Sequence, residues 1–194
     1  MSNNTMTSAV QIKPAWWRNT RVKIAIQVLL LIVFSAVAAA GKQWAPSMQI
    51  PGSSGFFWLG PLILGRMVVK RHGAGTVMGA GMAVWGLVLG FDKPMATNLA
   101  LYGITGAVLD LVAAIPLINI RNFFGAIICG FAAHMVKFGF VVTSAFAFAG
   151  AKHFMIFGLA KSALTHAGIG IALAIMAWAL YKAGERVITH RKEI

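Results

Sequence analysis

Negative charge is scarce in this chain: four Asp and Glu stand against seventeen Lys and Arg. Charged residues of either sign make up only 11% of the 194, against 59% hydrophobic, and mean hydropathy is +0.79. A soluble domain carries about a quarter of its residues as charge, so water is excluded as the main solvent. One cysteine, Cys129, excludes an intramolecular disulfide and any cysteine-based metal cluster. There is no GxxxxGK[ST] loop, no HExxH, no GxSxG and no calcium-binding loop, and the first of these absences excludes ATP hydrolysis through a P-loop. No cofactor or metal is expected, and the chain is read as a non-enzyme. A net charge of +13 invites nucleic acid as a partner, but the cations sit between apolar runs and are not gathered on a polar fold, so none is expected.

Long apolar runs fill most of the length. At about 20 residues per bilayer crossing, they leave room for about six helices and no separate soluble domain. The expected class is therefore all-α, a polytopic membrane helical bundle with residues 1–194 as a single transmembrane domain. Residues 1–12 are expected to form a polar, disordered lead, and Trp16 and Trp17 beside Arg18, Arg21 and Lys23 an interfacial anchor. The helices are expected at about Ile24–Gly41, Gly55–Val69, Gly75–Phe91, Thr97–Ile118, Phe123–Ala149 and Phe154–Tyr181, with Pro61 distorting the second. The first ends in Ser35–Ala40 (SAVAAA), which imitates a signal cleavage site; because a multispanning chain follows, the run is read as a retained span.

Alternating sides place twelve cations together (Lys13, Arg18, Arg21, Lys23, Arg66, Lys70, Arg71, Arg121, Lys182, Arg186, Arg191 and Lys192) and three opposite (Lys42, Lys93 and Lys152). The richer side is cytoplasmic, so both termini are expected inside the cell's plasma membrane. Small residues four apart, including Gly75 with Gly79 and Ala126 with Gly130, are expected to let helix backbones approach.

Inside such runs, ionisable residues are the informative ones. Asp110 and Lys137 each lie about 18 Å along their helices from the outer side, which predicts an ion pair between them. Asn98, Tyr102, Gly106 and Asp110, at intervals of four, draw a stripe able to face a cavity. Lys161 and Thr165 share one face of the last helix, with Ser162 and His166 on the next; Lys161 is expected to snorkel to the outer headgroups. His134 and His166 are expected to hydrogen-bond within the bundle, and they also raise the alternative of a b-type haem in a redox protein.

The basic lead, the outer loop Gln49-Ile50-Pro51-Gly52-Ser53-Ser54-Gly55, the segment Pro61 to Gly65, and Gly73-Ala74-Gly75-Thr76 opening the third helix together resemble the substrate-binding S components of energy-coupling factor transporters. The resemblance implies a membrane subunit that captures a vitamin-like small molecule from outside. A separate transmembrane T component and ATPase subunits would supply the energy. By position in the family's plan it implies a substrate site of Trp44, Gln49, Asn98, Tyr102, Lys161, Thr165 and His166, floored by Asp110 and Lys137. The Ala36–Ala40 pair lies at the outer end of helix 1, away from the cytoplasmic half where the family docks its T component. The absence of a His-rich amino terminus argues against the metal-binding branch. The rival expectation is a small membrane scaffold with no ligand.

Overall fold

The computed structural model describes residues 20–44, 53–91, 93–148 and 158–190. Within them, six helices follow in order: α1 (Thr20–Trp44), α2 (Gly55–Val68), α3 (Ala74–Val88), α4 (Met95–Ala113), α5 (Phe123–Phe148) and α6 (Leu159–His190). No strand interrupts them among the described residues. Four of the six, α1, α4, α5 and α6, are long and apolar enough to cross a membrane. α2 and α3, with 14 and 15 residues, measure about 21 and 22 Å at 1.5 Å per residue.

Neighbouring helices close a ring in the order α1, α2, α6, α5, α4, α3, and α2 leans inward to touch all the others. That position explains its composition. Trp58, Leu59, Leu62, Ile63 and Met67 are all fully buried, so α2 is apolar around most of its circumference. Large apolar side chains such as Leu29, Ile32, Val84, Leu111 and Leu164 point outward instead, where hydrocarbon rather than water is the fitting neighbour.

Glycines set the closest approaches. A Cβ on Gly106 would collide with the carbonyl of Gly75, and one on Gly79 with the carbonyl of Tyr102, so α3 and α4 touch backbone to backbone. Between α5 and α6, a Cβ on Gly130 would come within 2.6 Å of the Gly170 carbonyl. Gly75 and Gly79 thus act as a pair, as their spacing predicts.

Several boundaries differ from expectation: α1 runs Thr20–Trp44 rather than Ile24–Gly41, α3 ends at Val88 rather than Phe91, and α6 begins at Leu159 rather than Phe154. Two further differences have a clear cause. α4 ends at Ala113 rather than near Ile118, because Pro116 offers no N–H and disfavours helical backbone at Ile115; the chain continues in turns, with Ile118 N–H donating to the Ile115 carbonyl at 2.8 Å. α6 does not stop at Tyr181 but runs to His190, with Lys182 bonded to Glu185 at 2.7 Å one turn along. Polar composition there marks an exit from apolar surroundings, not the end of the helix. Pro61 lies within a helical run that is continuous from Gly55 to Val68. The amino-terminal lead and the Trp16–Trp17 anchor lie outside the described residues.

Candidate functional site

The predicted Asp110 to Lys137 ion pair is not formed. Asp110 instead meets Arg66, whose Nε donates to Oδ1 at 2.6 Å, and both residues are buried. The same carboxylate accepts the backbone N–H of Gly75 at 3.1 Å, the N–H of Thr76 at 2.8 Å and the Thr76 hydroxyl at 2.9 Å. It therefore neutralises a guanidinium and caps the start of α3 in one stroke. The depth count missed this pairing because Arg66, counted among the cytoplasmic cations, is buried in the packed end of α2 and reaches Asp110 there. Arg121 works beside it, donating from Nε and Nη2 to the Met67 carbonyl at 2.8 and 2.7 Å.

The stripe from Asn98 to Asp110 is likewise a packing seam. Its four residues are buried, Tyr102 and Gly106 press on Gly79 and Gly75, and a π-helical turn at Leu99–Gly103 breaks the regular period. Asn98 donates to the Lys93 carbonyl at 2.8 Å.

Lys137 presents the opposite electrostatic situation. It is buried, and its Nζ reaches the Ser54 hydroxyl at 3.2 Å and lies 4.7 Å from the centre of the Trp58 ring. No carboxylate pairs with it among the described residues. Burying an ion costs several kcal/mol. One hydrogen bond from a charged donor returns about 1.5–3 kcal/mol and a desolvated cation–π contact about 2 kcal/mol, so hydration is replaced only in part. Two of the three ammonium N–H groups have no hydrogen-bond acceptor in the described region.

Two more polar atoms around Lys137 lack partners among the described residues. Trp58 Nε1 and His134 Nε2 are buried without a hydrogen bond. His134 Nδ1 lies 2.7 Å from the His166 carbonyl; since a carbonyl only accepts, Nδ1 carries the proton, and Nε2 of the neutral ring is a lone pair turned toward Gly55. His166 bonds the Ser162 carbonyl through Nδ1 at 2.9 Å. Both histidines thus make the intrabundle bonds expected of them. Their rings stack at 5.0 Å and 30°, presenting faces rather than nitrogens to each other, so this arrangement offers a haem iron no pair of axial ligands.

Aromatic rings continue the wall of this cluster. Tyr102 meets Trp58 edge-on at 5.1 Å, Phe91 meets Tyr102 at 6.2 Å, and Lys42 lies 5.8 Å from the centre of the Phe91 ring. α2 begins beside Lys137, whereas α5 continues past it for eleven residues to Phe148, about 16 Å. The cluster therefore lies near the middle of α5, where the short central helix starts.

Of the residues expected at a substrate site, the structure brings Tyr102, Lys137 and His166 together. Asp110 is held by Arg66, Gly75 and Thr76. Trp44 is 74% exposed at the end of α1, and Lys161 is exposed at the start of α6, as snorkelling requires. Thr165 is half-buried and donates to the Ser162 carbonyl at 2.9 Å, while Gln49 lies outside the described residues. Trp58, Ser54 and His134 complete the cluster without having been expected there. Trp58 is hidden in the apolar run Gly55–Gly65, where an indole looks like core; Ser54 had a signal in its place at the end of the outer loop.

Comparison of the chain with protein-family models, with curated proteins and with solved structures gave no match.

Proposed function

We propose that this protein is the substrate-capture subunit of a micronutrient uptake system, binding a small organic molecule from the outer side and relying on separate T-component and ATPase subunits for energy. All six helices lie across the plasma membrane, α2 and α3 as short spans completed by adjoining turns, with both termini cytoplasmic. The single observation that carries the reading is the Lys137 cluster: a buried ammonium with one neutral hydrogen-bond partner, beside an indole N–H and an imidazole lone pair that have none. Buried polar groups left open in this way cost stability. A bundle that only had to hold itself together has no use for them, and the Asp110 lock shows that this chain can satisfy buried charge fully where the need is structural.

The family resemblance adds the division of labour. The lack of a P-loop in the sequence fits that division, with the energy supplied by other subunits. Native mass spectrometry of the full chain released from nanodiscs tests the reading: a bound small molecule, and co-purification with a membrane partner and ATPases when these are expressed together, are expected. A ligand-free protein that neither takes up solute in vesicles nor associates with ATPases would leave the scaffold reading in its place. Single cysteines introduced at residues 20, 70, 117 and 190 are expected to react from the cytoplasmic side, and at residues 44 and 93 from the outside.

A further inference from the structure

We infer that the captured molecule carries a carboxylate, and that this group docks on Lys137 Nζ beside the Ser54 hydroxyl, over the Trp58 ring. The inference rests on the capture reading and adds the charge class of the ligand. Lys137 is 94% buried by its 6% exposure, with Ser54 as its hydrogen-bond partner and the Trp58 ring beneath it. Among the described residues, the charges that act on it are Lys42 and Lys93, both of its own sign. α2 begins at the next residue after Ser54, and a helix N-terminus adds further positive potential. Ser54 makes no side-chain capping bond to α2, so its hydroxyl is turned to the ammonium.

The chain contains few groups able to answer this field. Of its four carboxylates, Asp110 is spent on Arg66 and the start of α3, and Glu185 on Lys182. Asp92 and Glu193 lie outside the described residues. An incoming monoanion fits the deficit: one formal charge for one ammonium, with a neutral hydroxyl donor beside it. A phosphate dianion calls for more cationic donors than the single Lys137 supplies, and guanidinium groups are better suited to it.

The test uses the full chain in nanodiscs. Small molecules released on denaturation are identified by mass spectrometry from the wild type, Lys137→Met and Lys137→Arg. In parallel, the stripped protein is melted with benzoate, benzamide and benzylamine, three probes of one shape and different charge. The expected result is a released acid from the wild type, retained by Lys137→Arg and reduced at least tenfold in Lys137→Met, with benzoate alone raising the melting midpoint. Asp92→Asn is expected to leave the midpoint and the charge preference unchanged; a large fall in midpoint in that variant overturns the inference, because the counter-charge is then internal. A released molecule that is neutral or cationic, or an equal response to the three probes, also overturns it while capture itself stands. Carboxylate binding without uptake in vesicles containing the partner subunits leaves the inference in place and removes the transport reading.

Discussion

The two buried ionic centres of this bundle are built to opposite standards. At Asp110 a carboxylate receives four hydrogen bonds, one of them from a guanidinium, and ties α2, α3 and α4 together. At Lys137 an ammonium of similar burial has a hydroxyl and a ring face. The difference teaches how to separate architecture from function. Where a buried charge is fully answered from within, its role is to fix helices in place; where it is half-answered, as at Lys137, the partner proposed above is a ligand.

The sharpest way to break the comparison is Asp110→Asn. Removing one partner of a buried pair leaves the other uncompensated and costs about 3–5 kcal/mol, so this variant is expected to lose most of its folded yield in detergent and to melt far below the wild type. The double variant Asp110→Asn with Arg66→Met is expected to recover much of that loss; failure to recover would show that the capping of α3, rather than the charge pair, dominates. Next in size is Gly106→Leu, which forces a side chain into the Gly75 contact and is expected to destabilise by about 1–3 kcal/mol or more through overpacking, read as a lower midpoint. A leucine tolerated there without cost would mean that the α3–α4 seam is looser than described.

Lys137→Met is expected to move in the opposite direction. Replacing a half-answered buried ammonium by an apolar chain of similar length should raise the midpoint of the ligand-free protein by an amount equivalent to about 2 kcal/mol, while ligand capture is lost. Equal destabilisation by Lys137→Met and Asp110→Asn would erase the distinction between the two centres. The smallest effect is expected at the exposed end of α6: Glu185→Gln breaks the Lys182 contact, yet both side chains face solvent and the midpoint should not move measurably.

Much of the architecture was legible before any coordinates. Helical spans, their approximate limits and the close-packing role of Gly75 and Gly79 follow from apolar length and small-residue spacing, properties local to the chain. The candidate site was legible only in part. Lys137 stood out because a lysine inside an apolar run has no local excuse, and His166 and Tyr102 were named for their position. The partner of Arg66 was not legible because, four residues before a basic turn, it reads as one more topogenic cation. Trp58 escaped notice because nothing in the run around it distinguishes an indole that packs from an indole with a donor to offer.

Composition and periodicity by themselves determined that the chain is a set of apolar helices with few ionic groups among them, since each helix satisfies its own backbone hydrogen bonds and needs only a run of the right length and polarity. Which charge meets which was decided by tertiary structure alone. Pairing depends on lateral neighbours and relative rotation as well as on depth, and two residues at matching depth on adjacent helices can face different ways. The placement of α2 inside the ring put Arg66 against Asp110 and left Lys137 with Ser54 and Trp58. No one-dimensional count contains that rotation.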